Sequence, residues 1–182
     1  MVFDVYTLVE AVWLILPAYA ANGLVPLVGI RKTHPIDFGK RFYDRKPILG
    51  PGKTWEGLVF GIFIAMLIST VEMLAYPFLP FDASPVPLSI VPMSPVLGFL
   101  LGAGAMMGDA AGSFIKRRLN LKRGASAPIL DQDDFIVGAL LFASFTVSVK
   151  SSWILLLLII TPIIHLTANF IGYKLKIKKQ PW

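Results

Sequence analysis

The chain has 182 residues, 55% of them hydrophobic and only 15% charged, with a mean hydropathy of +0.70. That balance excludes an ordinary water-soluble globule and marks an integral membrane protein. The net charge is +6, and the absence of cysteine excludes disulfides, iron–sulfur clusters and thiol catalysis.

A helix needs about 20 residues to cross about 30 Å of hydrocarbon. The first apolar run covers residues 6–30 and contains Pro17 and Pro26. No cationic segment precedes it, so it is expected to stay in the mature protein rather than be cleaved as a signal peptide. A loop over 31–53 follows, and a second run covers 54–76. The connector over 77–94 is proline-rich, carries one charge (Asp82) and reads as a stiff external link. The third run covers 95–119, and a loop over 120–134 leads to the fourth, 135–149, and the fifth, 153–173, which contains Pro162. The fourth is short, but 135–173 is too long for one crossing and breaks at Lys150-Ser-Ser, so a tight hairpin of two helices is expected. The expected fold is one all-α membrane domain, 1–182, a bundle of five transmembrane helices with a basic tail over 174–182. No internal repeat supports an inverted-repeat transporter.

Lysine and arginine orient the bundle. The loop over 31–53 carries seven, the segment after span three five, and the tail four, while only Lys150 lies on the other side. The positive-inside rule then puts the N-terminus outside and the two loops and C-terminus in the cytoplasm. The tail lysines need no role beyond topology and adhesion to anionic lipid.

Gly50-Pro-Gly-Lys-Thr-Trp-Glu-Gly57 closes the first basic loop. Its Gly-Lys-Thr is shared with the P-loop, but Pro47 stands where that motif needs glycine and no strand precedes it. The local chemistry remains: Gly52 permits close backbone approach, Lys53 is a cation, and a helix start favours an anion. The same residues also read as a turn, a snorkelling lysine and an N-cap at Thr54. In span three, Gly104, Gly108 and Gly112 form a stripe for close helix packing. Asp109 lies on an adjoining face with Ser113, Lys116 and Arg117, about 12 Å from Arg117 toward the membrane interior. A carboxylate at that depth calls for an ion pair or a metal. Asp131, Asp133 and Asp134 precede span four, where one of them can cap the helix. Asp109 with Asp131 and Asp134 makes a plausible Mg²⁺ set, completed by water and phosphates.

At these residues the chain resembles the CDP-diacylglycerol synthase family of membrane cytidylyltransferases. The resemblance rests on Ser113-Phe-Ile-Lys-Arg117, Lys122, Asp131-Gln-Asp-Asp134 and Lys53-Thr-Trp-Glu-Gly57. It is closer to the archaeal branch, the CDP-archaeol synthases, through Pro17–Asn22, Pro35-Ile-Asp-Phe-Gly39 and Ala127–Phe135. Two departures from the bacterial and eukaryotic pattern stand out: Arg123 replaces an aspartate, and a His-Gly-Gly before the last acidic pair is absent. Asp133 falls where the family is apolar and stays outside the ligand set.

The resemblance implies transfer of a cytidylyl group from CTP to an isoprenoid diether glycerol phosphate, with Mg²⁺ as cofactor and an active site facing the cytoplasm. It implies catalytic roles for Asp109, Asp131, Asp134 and Lys116, the three aspartates as metal ligands. Gly52, Lys53, Thr54, Ser113, Lys116, Arg117, Lys122 and Arg123 would contact nucleotide or phosphate, and Asn22 would either help position substrate or bond a neighbouring helix. CTP, the lipid and the bilayer are the expected partners, with no nucleic acid and no obligatory protein partner. A CTP-dependent lipid kinase would use similar groups, and a small transporter is a third reading, disfavoured because the charges cluster at one face. His165 is expected to bond a carbonyl freed by Pro162, and Trp13, Trp55 and Trp153 to pack or anchor.

Overall fold

A computed structural model describes residues 4–27, 33–81, 85–121, 125, 127–174 and 176. Five helices follow in order: α1 (Val5–Leu24), α2 (Trp55–Ala75), α3 (Pro95–Arg118), α4 (Leu130–Ala143) and α5 (Ser151–Lys174). Among the described residues the only β pairing is two isolated bridges, in the loop between α1 and α2. Each of the first three helices starts at a short polar side chain that accepts a backbone N–H three residues on: Asp4 from Thr7, Thr54 from Gly57 and Ser94 from Leu97. Pro95 at the first helical position needs no partner for a donor it lacks.

Four helices, α1, α2, α3 and α5, are long and apolar enough to cross a membrane. Their outer faces are what hydrocarbon requires: Val59, Phe63, Leu67, Val71 and Leu74 form an exposed stripe on α2, and Ile159, Ile163 and Phe170 do so on α5. The 14-residue α4 is different, since its length of about 21 Å falls short of the hydrocarbon core.

Three expected boundaries need correction. Helix α4 ends at Ala143, six residues before the expected end at 149. It starts at Leu130, five residues before the expected start at 135, so Asp131, Asp133 and Asp134 lie inside its opening turns. None of them caps it: the N-cap is Ile129 at φ 71°, with no side-chain bond, and Asp131 accepts instead from the N–H of Ala127 at 2.9 Å. Helix α1 ends at Leu24, and a single tight turn over Val25–Leu27 follows, with Pro26 inside it. The expected extension to residue 30 lies outside the described residues.

Helix α3 is the centre of the bundle, and glycine is what lets its neighbours approach. On one side a Cβ at Gly98 would stand 2.6 Å from Ser69 Cβ of α2, and one at Gly102 would stand 2.7 Å from Ala65 Cβ. On the other side Gly104 faces the carbonyl of Gly138 and Gly108 faces the carbonyl of Asp134, both on α4. The glycine stripe is therefore an interface of backbone against backbone. Leu14, Ile15, Leu101, Phe135, Ile136, Trp153 and Leu157 fill the core around it.

The two ends of the bundle differ in charge. The described cations of the α1–α2 loop and the end of α3 share one end with the start of α4, joined by the Lys116–Asp131 pair. At the opposite end Glu10, 6% exposed, accepts from the N–H of Ser89, from Lys150 Nζ at 2.9 Å and from Trp153 Nε1 at 2.9 Å. One carboxylate thus fastens α1 to the proline-rich connector and to the start of α5. Removing it strands the buried Trp153 indole N–H, at a cost of about 1–3 kcal/mol. Glu10→Ala should therefore lower the temperature at which the detergent-solubilised protein aggregates, yet leave its affinity for nucleotide unchanged. Unaltered thermal stability would mean that water replaces the carboxylate without loss.

Candidate active site

The site begins in the loop over 33–54, which is folded rather than slack. Pro35 pairs with Thr54 at its base and Arg41 with Pro47 near its tip. The Trp55 N–H donates to His34 O, and Glu56 on the first turn of α2 grips His34 twice, through its N–H at 2.9 Å and its Nδ1 at 2.5 Å. The far side of the loop rests on α3. Arg118 donates to the Pro47 carbonyl, pairs with Asp44 at 2.9 Å and lies 4.4 Å from the Phe114 ring centroid. Arg118 is therefore a docking residue of the loop, with its charge already engaged.

From this frame the turn Gly50–Lys53 points its lysine across to α3. Lys53 Nζ donates to Asp109 Oδ2, and both side chains are about three-quarters buried. A second pair lies beside it, Lys116 Nζ to Asp131 Oδ1 at 2.6 Å. The ion pair weighed for Asp109 as the alternative to a metal is thus present, with the partner drawn from the loop rather than from α3. Asp134 completes the group. Its Oδ1 accepts the Phe135 N–H at 2.7 Å, while its Oδ2 is buried without a partner. Gly112 makes room for that carboxylate, because a Cβ there would fall onto it.

Among the described residues no three carboxylates or histidines stand together as a ready metal cage. The donor chemistry nevertheless suits Mg²⁺, which takes one or two protein carboxylates and fills its octahedron with water and phosphate oxygens. A buried carboxylate oxygen with no partner, next to a second carboxylate, is costly unless a cation shares it.

Two cavities open beside these groups. The first, about 480 Å³, is lined by Thr33, Gly52, Lys53, Thr54, Asn22 and Asp109 among others, and lies between the loop and the starts of α2 and α3's polar half. The second, about 840 Å³, is larger and mostly apolar, walled by Val12, Phe135, Ile164, Ala168 and Ile171, with Lys116 and Asp131 at its polar end. They share Asn22, Pro26, Lys53 and Asp109. The Lys53–Asp109 pair therefore stands where a polar chamber meets an apolar groove.

Of the residues picked from sequence, Asn22, Gly52, Lys53, Thr54, Asp109, Lys116 and Asp131 line one or both cavities. Asp134 sits behind Asp109 against Gly112. Ser113 is buried in α3 and Arg117 is half-buried with an unpartnered Nε, and neither lines either cavity. Lys122 and Arg123 lie outside the described residues. His165 Nδ1 is bonded to Asn169 Nδ2 at 3.1 Å, one turn further along α5. Both Trp13 and Trp153 pack as expected, with indole N–H groups on the Val91 carbonyl and on Glu10. The sequence reading missed Tyr19 and Thr161, whose hydroxyls bond each other at 2.7 Å on the wall of the larger cavity. Polar side chains recurring at Thr161, His165 and Asn169, four apart within an apolar span, were the available signal.

Comparison with known proteins adds a family to this geometry. The CarS-like family model, described as CDP-archaeol synthase, matches residues 4–182. CDP-archaeol synthase of Pyrococcus furiosus is 41% identical over 177 residues, 97% of this chain and 99% of that protein. Those of Pyrococcus horikoshii and Methanocaldococcus jannaschii are 44% and 39% identical, each over 96% of this chain and 97% of theirs. A solved structure described as an intramembrane enzyme for archaeal membrane lipids biosynthesis superposes with a TM-score of 0.73 at 33% identity, covering 88% of this chain and 93% of that one.

Proposed function

The chain belongs to the CarS-like family of CDP-archaeol synthases, and from that premise we propose that it moves the cytidylyl group of CTP onto an isoprenoid diether glycerol phosphate. A phosphate oxygen of the lipid attacks the α-phosphorus of CTP. The new P–O bond forms as the bond to the bridging oxygen breaks, and pyrophosphate leaves. No covalent enzyme intermediate is needed, so the protein's work is alignment of two anions and stabilisation of charge in the transition state.

The observation that carries this reading is the meeting of the two cavities at Lys53 and Asp109. CTP occupies the polar chamber, with its phosphates toward Gly52, Lys53 and the Thr54-capped start of α2. The lipid occupies the larger groove between α1 and α5, its chains against Val12, Ile164 and Ile171 and its phosphate near Lys116. Asp109, Asp134 and Asp131 would hold Mg²⁺, which when bound neutralises triphosphate charge and favours departure of pyrophosphate. Lys53 and Lys116 then exchange their aspartates for phosphate oxygens. Ser113, Arg117, Lys122 and Arg123 complete the set that the family resemblance implies.

The basic end of the bundle faces the cytoplasm in this proposal, with the active site and the C-terminus on that side and the N-terminus outside. Five crossings are supported by the course of the chain. It passes from Asp131, bonded to Lys116 at the basic end, to Lys150, bonded to Glu10 at the other, by way of α4 and the seven residues after it.

CTP labelled at the α- or γ-phosphate tests the reaction, given to purified protein in detergent with Mg²⁺ and a diether glycerol phosphate. Label from the α position is expected in the lipid, with pyrophosphate released. Label from the γ position would make the protein a kinase. Ala168→Phe, which narrows the groove, should raise KM for the lipid about tenfold or more, as loss of several buried methylene contacts does. An unchanged lipid KM would remove the lipid from that groove, whatever became of KM for CTP.

A further inference from the structure

Asp37 belongs to neither cavity, yet the loop that builds the nucleotide chamber is organised around it. The residue is 7% exposed and lies outside the membrane-crossing helices. Its Oδ2 accepts the N–H groups of Leu49 at 2.9 Å and Gly50 at 2.8 Å, and its Oδ1 accepts that of Gly39 at 2.9 Å. One carboxylate therefore joins the entering turn of the loop to the leaving one. In sequence it stands between the Pro35–Thr54 bridge and the Arg41–Pro47 bridge, where the Ile48 N–H to Lys40 O bond, at 3.2 Å, also joins the two limbs of the loop.

What it grips is the first residue of the turn that carries the lysine. Gly50 has φ +90°, a conformation that side chains rarely adopt, and its carbonyl accepts the Lys53 N–H at 3.3 Å. Fixing Gly50 thus fixes the reach of Gly52, Lys53 and Thr54 into the 480 Å³ chamber. Burial by itself would raise the Asp37 carboxyl, but the donors from Gly50, Leu49 and Gly39 prevail and hold it below the usual carboxylate range. The carboxylate is therefore ionised, and its bonds to these donors are of the stronger, charge-assisted kind.

We propose that Asp37 is a positioning residue for nucleotide: through Leu49 and Gly50 it presets the Gly50–Lys53 turn against the phosphates of CTP, and it touches no reacting atom. This rests on the CTP reading of the site. Displacement of a positioning group by about 1 Å costs up to about a hundredfold, and here that loss should fall on one substrate.

Asp37→Ala should raise KM for CTP, and its equilibrium dissociation constant measured directly, by about ten- to a hundredfold. The lipid KM and kcat should stay within about threefold, well under one tenfold step of 1.4 kcal/mol. Asp37→Asn retains one acceptor oxygen and should lie between the two. Amide hydrogen exchange on the same samples should show Leu49 and Gly50 protected in the wild type and exposed in Asp37→Ala. Unchanged CTP affinity in a folded variant overturns the proposal, as does a parallel rise in both KM values. Failure of both variants to fold, seen as aggregation on size exclusion, also overturns it, because the role would then be general stability. If the wild type itself neither bound CTP nor transferred label, the proposed function would fall, while the exchange at Leu49 and Gly50 would still decide whether Asp37 holds the turn.

Discussion

Asp109→Asn and Asp134→Asn should each abolish cytidylyl transfer, by about a thousandfold or more in kcat, the scale of losing one preorganised electrostatic group. The two variants should differ in every other respect. Asp109 is the partner of Lys53, so its neutralisation leaves a largely buried ammonium with a weaker acceptor and should lower thermal stability. Asp134 has one carboxylate oxygen buried without a partner, beside Gly112. Removing its charge relieves a burial penalty, and Asp134→Asn should be as stable as the wild type or more so. A dead enzyme with undiminished stability is the mark of a group kept for chemistry. The measurement pairs α-label transfer at saturating Mg²⁺ with thermal aggregation in detergent. Near-normal Mg²⁺-dependent turnover in either variant would refute its assignment as a metal ligand.

Gly108→Ala should cost about 1–3 kcal/mol of stability, the usual range for overpacking, and most of the activity. A Cβ at this position meets the Asp134 carbonyl oxygen, with Asp134 C at 3.0 Å and Phe135 Cα at 3.1 Å. These are backbone atoms and cannot rotate away. Helices α3 and α4 must part, and parting carries Asp134 away from Asp109. Gly108→Val adds two more carbons to the same collision and should yield no folded protein. Gly23→Ala is the control, since a Cβ there meets nothing within 4 Å. Replacing glycine by alanine inside a helix is then expected to gain about 0.5–1 kcal/mol. If Gly108→Ala melted with the wild type, the close approach of α3 and α4 would not be a requirement of the fold.

Hydropathy and charge made the long helices legible. Helices α2 and α3 start and stop within about a residue of the apolar runs, because Thr54, Ser94 and Pro95 announce their starts locally. Helix α4 was harder. Its polar first turns read as loop because Asp131 is satisfied by Lys116 and by the Ala127 N–H, contacts that no periodicity displays. The lysine–aspartate pairs were only half visible: every member was singled out, but Lys53 and Asp109 stand 56 positions apart and nothing local joins them. Asp37 and Glu10 escaped for a related reason. Asp37 works through backbone N–H groups, which carry no side-chain signature, and Glu10 meets partners 79 to 143 residues away.

The pairing of Lys53 with Asp109 and of Lys116 with Asp131 also sets a threshold for entry. In the resting protein these ammonium groups are already neutralised, so a small anion such as inorganic phosphate finds little left to attract it. In the proposed reaction, a triphosphate arriving with a divalent counterion would supply charge of both signs at once, and both lysines and both aspartates could change partners together. The aspartates would then act as intramolecular competitors for the lysines, a filter that screens anions by valence before any recognition of the base. After turnover the same competition would run in reverse, and re-formation of the two pairs would help eject pyrophosphate.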